Sequence, residues 1–294
     1  METDFENYFK AGQIVVKIYN YAKKLIKENA FLLDTAEKIE NKIIELNGKP
    51  AFPVNISINS IAAHYTPSFN DEKQFKIGDL VKVDFGVLVN SCCADFAFSC
   101  SIGKNEENEK LILAAEKALE AAIKMLKPSV CVSDIGAEIE KIANSFNCNP
   151  IKNLGGHGIT EKNLHSAPTI PNFNNGDTTK LQEGVFAIEP FVTFGNGMVE
   201  DINACEIYSL VKLGAIKQKE VLSYVQENFG SFPFAKRWLI KKFGNLKTNL
   251  AVKEAVAKGL FKPHNVLKEV SNAKVAQFEH TLLIKNNEIK ILTK

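Results

Sequence analysis

The 294-residue chain is 45% hydrophobic and 24% charged, with a formal net charge of +2, ordinary values for a packed globular protein. No apolar run reaches the ~18 residues of a membrane span, and the start METDFENYFK lacks the basic-then-apolar pattern of a secretory signal, so a cytoplasmic location and no membrane partner are expected. Cys92, Cys93, Cys100, Cys131, Cys148 and Cys205 contain no CxxC pair, which argues against a structural zinc site and for buried, reduced thiols.

In chain order, residues 4–29 carry an apolar stripe at helical spacing that includes Phe5, Tyr8, Ile14, Ile18 and Ala22. A second helix follows, with Asp34 as its expected cap and Gly48 as its expected stop. AFPVNISINSIAAHYTP (51–67) alternates like a strand and ends near His64. LVKVDFGVLVNSCCADFAFSCSI reads as a hairpin. Another helix pair follows, the first stopped by Pro128 and the second with Ser133 as a possible cap. Then come a glycine-rich turn, NLGGHGIT, a strand, GVFAIEPFV, and a closing hairpin from AQFEHTLLIK onward. The plan of helix, helix, histidine turn and strands occurs twice, which predicts an α+β fold of two similar halves about a shared sheet. Residues of about 208–272 break this plan, read as helical, and suggest an insertion within a single domain, 1–294. From 206 to 275 there are 13 Lys or Arg against 5 Asp or Glu, a bias that is either a solvated face or a contact for an anionic partner.

The chemistry concentrates at acids placed in apolar strands. With the hairpin turn on Val89 and Asn90, Asp84 and Asp95 face each other directly, with Cβ atoms ~5 Å apart. Val83, Phe85, Phe96 and Phe98 alternate with them and form the core side. Such a pair is either a solvated sheet face or a functional carboxylate pair. Glu189 and Glu279 also interrupt apolar runs, where burial is costly without an ion pair or a metal. His157 sits among glycines and His165 lies eight residues on, among turn formers; singly, either histidine reads as structural or surface rather than catalytic. Together, four acids and one imidazole suit Mn, Fe, Co or Zn. Two such ions need bridging carboxylates, and their +4 balances the four carboxylates.

AFPVNISINSIAAHYTP, VDFG…ADFAFS, NLGGHGI, LHSAP, AIEPF and AQFEHT, in this order along the whole chain, resemble the type II methionine aminopeptidases. The resemblance implies the pita-bread fold, in which helix-helix-hairpin halves surround a curved antiparallel sheet, and an archaeal-like layout without a lysine-rich N-terminal extension. It implies two divalent ions (Co, Mn, Fe or Zn) held by Asp84, Asp95, His157, Glu189 and Glu279. It implies that His64 and His165 contact the substrate amide, that Glu189 also moves a proton, and that Phe52, Leu164 and His264 line a methionine pocket. The family usually has tyrosine where this chain has His264. His280 should point to the opposite face from Glu279 and be structural. The implied activity is removal of the initiator methionine from nascent chains when the second residue is small, through a hydroxide held between the ions. The implied enzyme is monomeric, and the basic insertion is a candidate ribosome contact. Xaa-Pro peptidases share the fold and ligands. Non-catalytic ribosome- or RNA-binding relatives share the fold but lack the ligands, all five of which have counterparts here.

Overall fold

A computed structural model describes residues 5–127, 129–161 and 163–294; Pro128, the expected helix stop, lies outside them. The first expected stripe forms α1 (Phe5–Leu25), which buries Tyr8, Ala11, Ile14, Val15, Ile18 and Ala22, the three-and-four spacing of one helix face. α2 (Leu32–Glu45) packs beside it, burying Ile39 and Ile43 in the same cluster as Val83, Phe85, Phe96 and Phe98. In the second half, α3 (Glu106–Met125) is capped by Asn105, whose side chain accepts from Asn108 N. Ile135 and Ile139 of α4 (Val132–Ser145) pack with Ile170, Phe186, Ile188 and Leu282.

The two halves repeat with a spacing of 100 residues. α2 recurs as α4, and the strand Lys49–Pro50 recurs as Asn149–Pro150. Asn47 and Asn147 both take the left-handed conformation just after the helix, at φ 64° and 57°, which relieves the helix end. Asn47 rather than Gly48 thus takes the left-handed position, and Gly48 N closes the turn onto Ile43 O at 3.0 Å. The expected caps differ as well. Phe31 and Cys131 occupy the N-cap positions without a side-chain cap bond, because bridges from Phe31 to Gln74 and from Cys131 to Lys180 set where each helix starts. Asp34 and Ser133 fall inside the first turns.

The hairpin strands are Leu80–Val89 and Cys92–Ser101. The turn is Asn90–Ser91, both left-handed, at φ 46° and 71°, as a two-residue primed turn requires. This moves the expected register by two residues. Asp84 pairs with Ala97, and Asp95 with Gly86. The two aspartates are diagonal neighbours on one face rather than direct partners, so their mutual repulsion is lower than in the expected register.

The far edge of Leu80–Val89 pairs with Lys49–Pro50 and Asn55–Ile58. A five-stranded antiparallel sheet runs Glu288–Ile291, His280–Lys285, Gly184–Ile188, Gly155–Thr160, Asn163–Pro171. The two sheets meet where Glu279 N donates to Ala97 O at 2.9 Å and Thr281 bonds Asp95. The inner face opens on a cavity that Ile207, Pro233, Lys262 and His264 also line.

Between residues 207 and 264, α5 (Lys219–Asn228), α6 (Lys236–Phe243) and α7 (Asn245–Ala257) stand with a three-stranded sheet of Ile207–Leu210, Phe234–Ala235 and Phe261–His264. Their cluster includes Leu210, Val225, Phe234, Leu239 and Phe261. The ends of the expected helical segment are therefore strands. Arg237, fully buried, ties this unit to the rest: it pairs with Glu40 of α2 and donates to Thr66 Oγ1 at 2.6 Å and Pro67 O at 3.1 Å. Trp238 Nε1 donates to Glu40 Oε2 at 2.9 Å. Lys236, Lys247 and Lys258 engage Glu206, Glu220 and Glu254 within the same segment, and Lys241 engages Glu37 outside it, so the pairs with Glu37 and Glu40 offset only a small part of the basic bias. No helix among the described residues is long and apolar enough to cross a membrane.

Candidate metal centre

A cavity of about 640 Å³ opens at the seam between the sheets, and all ten expected site residues line it: Phe52, His64, Asp84, Asp95, His157, Leu164, His165, Glu189, His264 and Glu279. The Leu80–Val89 and Cys92–Ser101 strands deliver Asp84 and Asp95. His157 comes from Gly155–Thr160, a strand and not the expected turn. Its flanking glycines answer a packing demand: a Cβ at Gly156 would lie 2.2 Å from Ala187 O, and one at Gly158 2.4 Å from Ala167 O. Glycine lets both neighbouring strands close on His157. His165 also lies in a strand, Asn163–Pro171, and is exposed to the cavity. Glu189 and Glu279 sit at breaks, after Gly184–Ile188 and before His280–Lys285; the two runs expected as continuous strands stop there. Each carboxylate therefore projects from a kink into the seam.

One carboxylate oxygen each of Asp95 and Glu279 and one imidazole nitrogen of His157 lie within 4.8 Å of one another. His157 Nε2 is 3.8 Å from both Asp95 Oδ2 and Glu189 Oε1. His157 Nδ1 is 3.2 Å from Gly158 O; a carbonyl only accepts, so Nδ1 carries the hydrogen and Nε2 presents a lone pair to the carboxylates. Burial holds the His157 pKa down to about 4, in the neutral form that a metal needs.

The acids are pushed the other way. Burial raises Asp84 to about 7. Burial first, then the charges of the neighbouring carboxylates, pushes Asp95, Glu189 and Glu279 well above their usual range. Asp84 Oδ1 and Glu279 Oε1 are buried without a hydrogen-bond partner among the described residues. Four buried carboxylates with a neutral imidazole, and with oxygens left unsatisfied, form a donor set that fits divalent cations, which would remove the repulsion and occupy the orphaned lone pairs.

Around this set, Gln277 Nε2 donates to Glu189 Oε2 at 3.2 Å. His64 follows the strand Ile61–Ala63 with φ 64°, and its Nδ1 is bonded to Asn265 O at 3.1 Å, which leaves Nε2 for a ligand. Burial lowers its pKa. The His165 ring stands 4.3 Å from that of His157, and the His264 ring 5.8 Å from that of His64, both edge to face. The surrounding protein, and then His157, lower the His165 pKa. His264 Nε2 meets Ser209 Oγ at 2.8 Å. His280 turns away, as expected: its ring packs on Phe96 and Nδ1 meets Thr293 Oγ1 at 2.9 Å.

Sequence reasoning missed Asn55, Lys152 and Lys262, which also line the cavity, and Gln277 and Thr281, which grip its acids. The alternation of buried polar residues in NISI and the unbroken polar placement in AQFEHT were the available signals.

The profile of metallopeptidase family M24 matches residues 6–286. A methionine aminopeptidase of Archaeoglobus fulgidus is 42% identical over 293 residues, covering 98% of each chain. Among solved structures, a methionine aminopeptidase of Thermotoga maritima has a TM-score of 0.73 at 25% identity, over 100% of this chain and 98% of that one. A thermophilic Arx1 has a TM-score of 0.85 at 19% identity, over 98% of this chain and 90% of that one, a likeness of fold. The expected α+β pita-bread fold is the one this chain adopts, and the chain belongs to metallopeptidase family M24, grouping within it with the archaeal methionine aminopeptidases.

Proposed function

We propose that this chain removes the N-terminal methionine from new polypeptides whose second residue is small. The observation that carries the reading is the crowded donor set of Asp95, His157 and Glu279, with Glu279 Oε1 unsatisfied, in a cavity, in a chain that matches methionine aminopeptidases over nearly its whole length. Asp84, Asp95, His157, Glu189 and Glu279 would hold two divalent ions from among Co, Mn, Fe and Zn. Such ions supply Lewis acidity toward the scissile carbonyl and lower the pKa of water.

The remaining chemistry falls to the protein. Phe52, Leu164 and His264 enclose the methionine side chain. Glu189, at the strand break, takes the proton from the attacking water at a carboxylate oxygen. The lone pair at His64 Nε2, set by the Nδ1–H bond to Asn265 O, accepts from the substrate amide N–H, and the exposed imidazole of His165 faces the carbonyl and stabilises the charge that develops there. Both histidines are neutral in the resting cavity; His64, with its N–H on Asn265 O, offers Nε2 as an acceptor, whereas His165 can donate or accept.

The same reading makes 1–294 one catalytic domain with an insertion at about 208–272, acting as a cytoplasmic monomer on nascent N-termini. The basic insertion is read as a solvated face, with a ribosome contact as the alternative. Hydrolysis of Met-Ala-Ser against Met-Lys-Ser, with and without chelator, tests the activity, and a Gly-Pro peptide serves as control. Fast, chelator-sensitive cleavage of Met-Ala-Ser is expected. Equal rates on both methionyl peptides, indifference to chelation, or preference for Gly-Pro would overturn the reading.

A further inference from the structure

Asn55 stands directly across the sheet from Asp84, so both side chains leave the same face, and both line the cavity. Asn55 is only 3% exposed. Its Nδ2 donates to Pro53 O at 3.0 Å, which fixes the orientation of the amide. Oδ1 is then left buried with no hydrogen-bond partner among the described residues. Three orphaned oxygens thus belong to the lining of one cavity: Asn55 Oδ1, Asp84 Oδ1 and Glu279 Oε1. The two carboxylate oxygens would be answered by cations. The amide oxygen is uncharged and suits an N–H donor instead.

The proposed substrate brings such a donor. A free N-terminus carries an α-amino group, and Phe52 and Asn55, three residues apart in the chain, line the same cavity. We propose that Asn55 Oδ1 accepts a hydrogen bond from the substrate's α-amino group, so that one short stretch, 52–55, reads both the side chain and the free amine of the first residue. This rests on the methionine aminopeptidase reading above. Asn55 is here a specificity residue. It neither attacks nor moves a proton, and it works because a buried acceptor left unmet by a ligand without the amine penalises that ligand.

The test compares two ligands that differ only in the amine, methionine amide and 4-(methylsulfanyl)butanamide, by calorimetry on the metal-loaded protein. Asn55→Ala should weaken methionine amide roughly five- to tenfold and leave the amine-free ligand unchanged; KM for Met-Ala-Ser should rise by a similar factor, with a smaller change in kcat. Metal content and melting temperature show whether the variant is folded and loaded. If alanine unfolds the chain, Asn55→Thr and Asn55→Val, both suited to a strand and differing by one hydroxyl, repeat the comparison, with discrimination expected only in the threonine form. Equal weakening of both ligands, or loss of metal with amine discrimination intact at saturating metal, overturns the proposal. Failure of the functional reading itself shows earlier, as unmodified protein that does not cleave Met-Ala-Ser.

Discussion

Thr281 clasps the backbone of Asp95 with both capacities of its hydroxyl: Oγ1 accepts from Asp95 N and donates to Asp95 O, each at 2.7 Å. The clasp joins the strand His280–Lys285 to Cys92–Ser101 and sets the height of the Asp95 carboxylate beside His157. Thr281→Val keeps the shape and removes both bonds, leaving two buried backbone groups unmet. A stability loss of about 1–3 kcal/mol is expected, together with metal release at lower chelator concentration. Thermal unfolding and a chelator titration check it, and Thr281→Ser should stay near the parent protein in both.

His64 gives a separate handle on chemistry. Its left-handed backbone at φ 64° makes asparagine the replacement with least strain. His64→Asn should lower kcat/KM on Met-Ala-Ser by on the order of a hundredfold while metal content holds. A variant that loses metal instead would make His64 a ligand rather than a substrate-facing group.

The Arg237–Glu40 pair tests how the unit at 207–264 supports the site. Both partners are buried, and Arg237 also holds Thr66 and Pro67, just beyond His64. Arg237→Met strands the Glu40 charge and should cost about 3–5 kcal/mol. Adding Glu40→Leu removes the stranded charge and should restore part of that stability. Activity should recover less, because the Thr66 and Pro67 anchor remains lost. Denaturant melts and steady-state kinetics on the single and double variants separate the two effects.

His264 sets a pH expectation. Burial, then the nearby His64 and Lys262, lower its pKa to about 4, against an ordinary value near 6.5. Between those values the unfolded chain binds a proton that the folded chain refuses, so stability from this group is full above about pH 6.5 and is lost as pH falls toward 4. His264→Gln removes the group from both states. The difference in unfolding free energy between parent and variant should therefore change over pH 4–6.5 and be flat above it. A difference independent of pH throughout would contradict the assignment.

What the sequence made legible was mostly what a periodic pattern encodes. The stripe of α1 and the alternation of Val83, Phe85, Phe96 and Phe98 against the aspartates require only local geometry, and both appear as expected. The hairpin register depended on which two residues turn, and Asn90–Ser91 prevailed over Val89–Asn90 because both central positions must be left-handed. GGHG read as a turn because glycine permits turns; only the approach of Ala187 O and Ala167 O reveals that it is a strand squeezed between two others. Asp34 and Ser133 have cap chemistry, yet bridges to distant residues start the helices earlier. Asn55, Gln277 and Thr281 carry no motif, since their importance comes from which strand lies opposite.

The two sheets meet at a narrow joint, where Glu279 N reaches Ala97 O and Thr281 grips Asp95. Asp84 and Asp95 come from one side of that joint, and His157, Glu189 and Glu279 from the other. Ions held by the proposed set would act as a rivet between two plates, and the enzyme's durability would then follow its charge of metal. With the rivet in place the plates should come apart together. Stripped of it, the joint should breathe before either helical layer loosens, so that exchange of the Glu279 amide with solvent becomes an early sign of an empty centre.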